Sequence, residues 1–311
     1  MAENRKMKHL LEILSLAKEF ESLPIRDSDE GQLQAVANYL EYRVDSIDGI
    51  YCDPRTKANI LLQCHFLRKD LSIDLSLDQK EILEQSLKLV HAMVEMTSTE
   101  GWLNLTLLAM ELSQMIVQAC LIRESQLYQL PYFDQAIVER CKNNGIKDIG
   151  DLLEMEDEPR RKLLNMSDKQ LEKVAQVSNK IPNYSIVVKG LENGKEEATV
   201  GDEVNLIVEI KDNDDEGEDE EEEDDDDKIV YAPFYPQQKH EQWWLIVGDE
   251  KEKALLGIKR ITAKARDQVQ LRFTPRDKGN KKYTVFLICD SYTGCDTTEN
   301  FNLMIYDQQA Q

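Results

Sequence analysis

From Gly101 to Ser125 the chain reads GWLNLTLLAMELSQMIVQACLIRES, and Trp102, Leu103, Leu105, Leu107, Leu108, Leu112, Met115, Ile116 and Ala119 wrap most of a helix's circumference. A helix that is apolar on nearly every side belongs in the middle of a bundle, so the segment predicts a helical first part with 101–125 at its centre. Its polar stripe of Asn104, Glu111, Gln114 and Gln118 falls within about one quadrant at ~100° per residue. That stripe is expected to face water or a partner, and Arg123 is the segment's only basic residue.

Toward the N-terminus the same period of three and four continues through Leu10, Leu11, Ile13, Leu14, Ala17 and Phe20, giving five helices between Lys6 and Leu127. The third is expected to open at Asp53-Pro54, a side-chain acceptor followed by a proline that needs no donor at the first helical position. The fourth is expected to open at Ser76, with Gln79 completing a capping box, and to carry Ile82, Leu83, Leu87 and Val90 inward.

Toward the C-terminus short helices with strong punctuation follow Leu130-Pro131. Asp134 opens one, Gly145 is its left-handed stop, Asp148 opens the next and Ser167 precedes the last. From Tyr184 the period becomes two, in Ile186/Val188, Val204–Ile210, Leu245/Val247, Val269–Phe273, Tyr283–Leu287 and Phe301–Ile305. About seven short strands over ~120 residues fit an immunoglobulin-like or fibronectin type III sandwich. The expected organisation is a helical bundle over 1–128, a helix-loop-helix domain over 129–182 and a β-sandwich over 183–311 carrying an acidic loop at 212–227.

Of the formal charge of −22, 14 negative charges sit in Asp212–Asp227, leaving −8 for the rest of the chain. A surface of that sign repels phosphate backbones, so broad nucleic-acid affinity is not expected. Within the acidic run, Asp212, Asp214, Glu216, Gly217 and Glu223 mimic the spacing of an EF-hand loop. We reject that match, because Asp219 stands where an apolar residue belongs and no helices flank the run. The six cysteines form no C-x-x-C pair and read as reduced cytosolic or nuclear thiols. Neither a leader's apolar stretch nor a run of ~18 apolar residues is found, so secretion and membrane spanning are not expected. Phosphate-cradling, dinucleotide, serine-hydrolase and H-E-x-x-H motifs are missing, and His9, His65, His91 and His240 lie far apart in sequence. A non-enzymatic chain with no cofactor and no metal is the reading. Trp243-Trp244, after Pro233-Phe234-Tyr235-Pro236, are candidate docking aromatics, of which alternation sends one ring inward and the other outward.

Several phrases in this order carry a resemblance: Gln129-Leu130-Pro131-Tyr132-Phe133; Gly145-x-x-x-Ile149-x-Asp151-Leu152-Leu153-Glu154; Ala232-Pro233-Phe234-Tyr235-Pro236 before Trp243-Trp244 and Gly248-Asp249; and Asp290-Ser291-Tyr292-Thr293-Gly294-Cys295-Asp296. From about Met7 to Tyr306 the chain resembles the Sec sixty-three homology unit. The likeness is greatest to the C-terminal copy in the large two-cassette DExH pre-mRNA-splicing helicases, the two-hundred-kilodalton class of small nuclear ribonucleoprotein subunit. The resemblance implies a bundle, a helix-loop-helix and a fibronectin type III-like sandwich. It also implies a nuclear, non-catalytic module that docks splicing-factor proteins and regulates the preceding helicase cassette. In that family the long bundle helix lies across the nucleic-acid tunnel, and its match here is 101–125. A helix that tracks phosphates presents lysine or arginine, whereas this one offers Asn104, Glu111, Gln114, Gln118 and Arg123. Docking is therefore the first reading and weak RNA contact the alternative.

Overall fold

A computed structural model describes residues 2–46, 50–214, 228–264 and 266–307. Of the expected acidic loop only Asp212, Asn213 and Asp214 are among them, and the rest of it lies outside the described residues. Nine α-helices precede two β-sheets among the described residues. The described chain separates into two compact units that do not follow chain order. One unit holds 1–93, 111–175 and 231–239, and the other holds 94–110, 176–230 and 240–311.

In the first unit, α1 (Ala2–Ser15) and α2 (Asp29–Ala37) both pack on α3 (Pro54–Phe66). The Asp53 carboxylate accepts from the backbone N–H groups of Arg55 and Thr56 at 3.0 and 3.3 Å, so the expected start of α3 is found. Every residue of α3 from Thr56 to Phe66 is buried, which makes this helix as central as the one expected to be. The next helix, α4 (Ile73–Thr99), begins a turn before the expected Ser76. Ser76 N–H bonds Ser72 O at 2.9 Å, and Gln79 turns away from capping to donate to Leu61 O at 2.9 Å. The central helix of the sequence reading is α5 (Leu103–Gln118), shorter than expected because Ala119 takes a left-handed φ of 49°.

Four short helices follow: α6 (Gln135–Asn143), α7 (Ile149–Glu154), α8 (Asp157–Leu164) and α9 (Asp168–Ser178). Asp134 and Asp148 cap α6 and α7 through bonds from Ile137 N and Asp151 N at 2.9 and 2.8 Å. Gly145 ends α6 at φ 83°, a conformation that a side chain would strain. At the start of α9 the Gln170 side-chain oxygen accepts from Ser167 N–H at 3.0 Å and from its hydroxyl at 2.8 Å, tying the residue before the helix to its first turn.

The second unit carries β1 (Tyr184–Leu191), β2 (Glu197–Thr199), β3 (Val204–Asp212), β4 (Trp243–Asp249), β5 (Ala254–Ile261), β6 (Gln268–Phe273), β7 (Gly279–Cys289) and β8 (Thr297–Tyr306). One sheet has the order β1-β3-β6 and the other β2-β8-β7-β4-β5, antiparallel except for β2 against β8. Rings meet edge-on from one sheet to the other, with Tyr184 5.4 Å from Trp243 and Phe273 5.5 Å from Tyr283. At Gly257 the sheets come so close that an added Cβ would sit 2.1 Å from Arg272 O.

The tip of the α4–α5 hairpin belongs to this unit. Gly101 O accepts from Leu255 N at 2.9 Å, Trp102 bridges Ala254, and the Leu103 side chain fills the space that a Cβ on Gly248 would take.

Candidate interaction site

The predicted polar stripe does not survive as a face. Asn104 is exposed and Glu111 half-buried, but Gln114 and Gln118 are 0% and 2% exposed. The reason for Gln118 lies far along the chain, where its side-chain amide donates to Tyr231 O at 3.4 Å. Arg123 is exposed and is held by an ion pair to Glu41. Thus Asn104 and Arg123 present polar atoms to solvent, Glu111 does so in part, and 112–121 is interior.

The tryptophan expectation fails in a parallel way. One inward ring was expected and Trp243 is buried, its indole N–H donating to Glu241 at 3.2 Å. Trp244 is also buried, at 4% exposed, because the Arg260 guanidinium from β5 lies 4.1 Å from its ring centre. Arg260 is itself fastened by Gln242 at 3.1 Å and by an ion pair to the fully buried Asp290. A cation stacked on an indole turns the outward face of a strand into a second packed layer.

The most densely built cluster in the helical unit centres on a residue that the sequence reading passed over. Arg68 ends α3 with φ 48°, its neighbour Lys69 donating N–H to Cys64 O at 2.9 Å. From that turn its side chain caps the far end of α5. Nε donates to Ala119 O at 2.9 Å, and Nη2 to Gln118 O and Tyr128 O at 3.1 and 2.9 Å. One guanidinium thus satisfies carbonyls that the end of a helix leaves open. The same plane lies 4.4 Å from the Phe234 ring centre and 5.6 Å from that of Tyr128. Burial pulls the Arg68 pKa below its ordinary value, and burial raises the phenols of Tyr128 and Tyr231. His65, one turn before Arg68, is wholly interior and donates Nε2–H to Ile116 O at 2.7 Å. Burial holds its imidazole down at about 4.

Around Arg68 the surface is aromatic, with Tyr132 52% and Phe234 48% exposed and Tyr128 and Tyr231 half-buried. Tyr128 and the Ala232–Pro236 phrase were visible in the sequence, but nothing in either announced that Arg68 touches both Tyr128 and Phe234. Among the described residues no group of three metal-ligating side chains comes together, and no helix is long and apolar enough to cross a membrane.

The family model described as the Sec63 Brl domain matches residues 1–302. The chain belongs to the Sec63 Brl domain family. Within that family it is 41% identical to the DExH-box ATP-dependent RNA helicase DExH12 of Arabidopsis thaliana, over 97% of this chain. It is 38% identical to the pre-mRNA-splicing factor brr2 of Schizosaccharomyces pombe and 34% identical to the human U5 small nuclear ribonucleoprotein 200 kDa helicase, over 99% and 98% of this chain. The Sec63 Brl chain spans 14% of the length of each of these relatives. A Pseudomonas fluorescens alkylpurine DNA glycosylase bound to abasic DNA aligns over 97% of this chain and 98% of its own at 11% identity and a TM-score of 0.21, a likeness that carries no argument.

Proposed function

We propose that this chain is a non-catalytic module of a spliceosomal ATP-dependent RNA helicase, acting in the nucleus as a docking platform for splicing-factor proteins and as a regulator of the adjoining helicase cassette. The observation that carries the reading is the match of nearly the whole chain, at 34–41% identity, to 14% of proteins named as splicing or DExH helicases. The closed stripe adds to it. With Gln114 and Gln118 interior and Arg123 paired, helix α5 offers no row of cations for a phosphate backbone. The strand order β1-β3-β6 against β2-β8-β7-β4-β5 supports a fibronectin type III-like sandwich over 183–311, after a bundle over 1–128 and a helix-loop-helix over 129–182.

The rival reading is an RNA-contacting accessory domain. Titrating the chain with the helicase cassette and, separately, with single-stranded RNA between ~50 and ~200 mM salt separates the two. Docking predicts cassette affinity that barely changes with salt and negligible RNA binding. RNA affinity that falls by about 10³ over that range overturns it.

A further inference from the structure

We propose that the aromatic surface built around Arg68, made of Tyr128, Tyr132 and Phe234 and rimmed by Glu124, Asp134 and Glu139, docks an arginine-bearing basic peptide segment of a partner protein. The proposal rests on the docking reading above and gives it a surface and a partner chemistry. All of these residues belong to the helical unit.

The platform is rigid before any partner arrives. Arg68 places three of its five N–H donors on backbone carbonyls, so the guanidinium is a fixed plane on which Phe234 lies at 4.4 Å. Phe234 is carried on a segment that Gln118 ties down at Tyr231 O. Tyr132 stands at φ 67°, a left-handed turn just after Pro131, and leaves half of its side chain in solvent. Ordered rings with little entropy left to lose are the side chains that make binding hot spots.

The rim chooses the sign of the partner. Glu124, Asp134 and Glu139 are exposed, and all three lie close enough to Tyr128 for their charges to act on its hydroxyl. Glu124 accepts Leu121 N–H at 3.1 Å and Asp134 accepts Ile137 N–H at 2.9 Å, which fixes both carboxylates in place. Aromatic faces beside fixed carboxylates are what a guanidinium seeks, because it can stack and pair at once. These three rim carboxylates draw a basic segment in and turn phosphate away. Lys173, 5.9 Å from the Tyr231 ring, marks the side on which the rim changes sign. The acidic surface therefore lies toward Tyr128.

The probe is a fluorescein-labelled arginine–glycine repeat peptide, titrated by anisotropy against the full chain at ~150 mM salt, where distant charges are screened. Phe234→Leu keeps the bulk and removes the π face, and Glu139→Gln removes one rim charge. Each is expected to weaken binding roughly threefold and the pair roughly tenfold. A variant with Asp202, Asp277 and Asp307 changed to asparagine is expected to stay within about twofold, since those exposed carboxylates belong to the other unit. Melting curves that match the parent chain show that the variants fold. The proposal is overturned if the asparagine variant abolishes binding while Phe234→Leu and Glu139→Gln do not. It is equally overturned if the peptide does not bind, or if single-stranded RNA competes for the same residues. Cassette binding that persists when the peptide fails leaves the docking reading standing and this surface refuted, whereas loss of both removes the two together.

Discussion

Replacing Lys57 with methionine exposes what holds the helical unit in register. The ammonium group is fully buried, 2.5 Å from Asp29 Oδ2, 2.7 Å from Asp78 Oδ2 and 2.7 Å from Pro24 O. Asp78 also takes a two-pronged bond from Arg26 at 2.6 and 3.0 Å. The cluster therefore joins the start of α2, the first turn of α3 and the first turns of α4 around a neutral set of two cations and two carboxylates. Lys57→Met leaves Asp78 with Arg26 but strips Asp29 of its closest cation while that carboxylate stays 0% exposed. Breaking a buried pair from one side costs about 3–5 kcal/mol, because an uncompensated charge remains inside. For a unit of this size that is a drop in melting temperature of roughly 8–15 °C. The assay is thermal and urea unfolding followed by the helical circular dichroism signal. Removing the second charge as well, in Lys57→Met with Asp29→Leu, is expected to restore most of the loss, since apolar replacement of a whole buried pair is often neutral. A single variant that loses less than about 1 kcal/mol, or a double variant no better than the single, refutes the reasoning.

The Asp78 carboxyl is pushed up by burial, but the bonds and charges of Arg26 and Lys57 outweigh that and hold it below its ordinary value. Its share of stability is present above the unfolded carboxyl range and should fade as pH falls through the folded value, seen as acid-induced loss of helix that Asp78→Asn no longer shows. His65 acts in the same direction by another route. It is neutral in the fold at pKa about 4 and ordinary when unfolded at 6.5, so about 3 kcal/mol is lost as pH drops from 6.5 toward 4, and His65→Gln should flatten that slope in urea titrations. Arg68→Met should release the carbonyls of Gln118, Ala119 and Tyr128, cost about 3 kcal/mol and speed amide hydrogen exchange at the end of α5. Gly257→Ala sets a Cβ against the Arg272 backbone and should cost at least ~2 kcal/mol in tryptophan-detected unfolding, whereas Gly31→Ala, with open space around it in α2, should be neutral or slightly stabilising.

How legible each feature was depends on how far away its cause lies in the chain. The starts at Asp53, Asp134, Asp148 and Ser167 were readable because a cap and the amides it satisfies are within four residues of each other. Six strands were readable because their apolar residues recur at every second position, although β4 proves buried on both faces. β5 was not, since its residues Ala254–Ile261 are of mixed burial and Gly257 is required by a close approach from β6. β2 is three residues long and exists through its pairing with β8. The start of α4 was misplaced because Ser76 and Gln79 have the spacing of a capping box, whereas Ser76 N–H bonds Ser72 O and Gln79 is drawn off to Leu61 O.

The candidate surface was less legible for the same reason on a larger scale. Helical projection makes Gln114 and Gln118 look like a stripe, and only a carbonyl 113 residues further along shows why Gln118 is interior. Alternation sends one of the two tryptophans outward, and only Arg260 on the neighbouring strand, anchored by Asp290, shows why Trp244 is covered as well. Arg68 offered no local signal at all, because a positive residue after a helix end looks the same whether it points at water or at the end of another helix.

The claim that matters most is that the chain works through proteins and not through RNA. The most direct measurement is capture from nuclear extract with the tagged chain, with and without ribonuclease, followed by identification of what stays bound. The account predicts that named splicing proteins remain after ribonuclease treatment and that Phe234→Leu with Glu139→Gln loses those with arginine-rich segments. Binding that disappears with the RNA contradicts it.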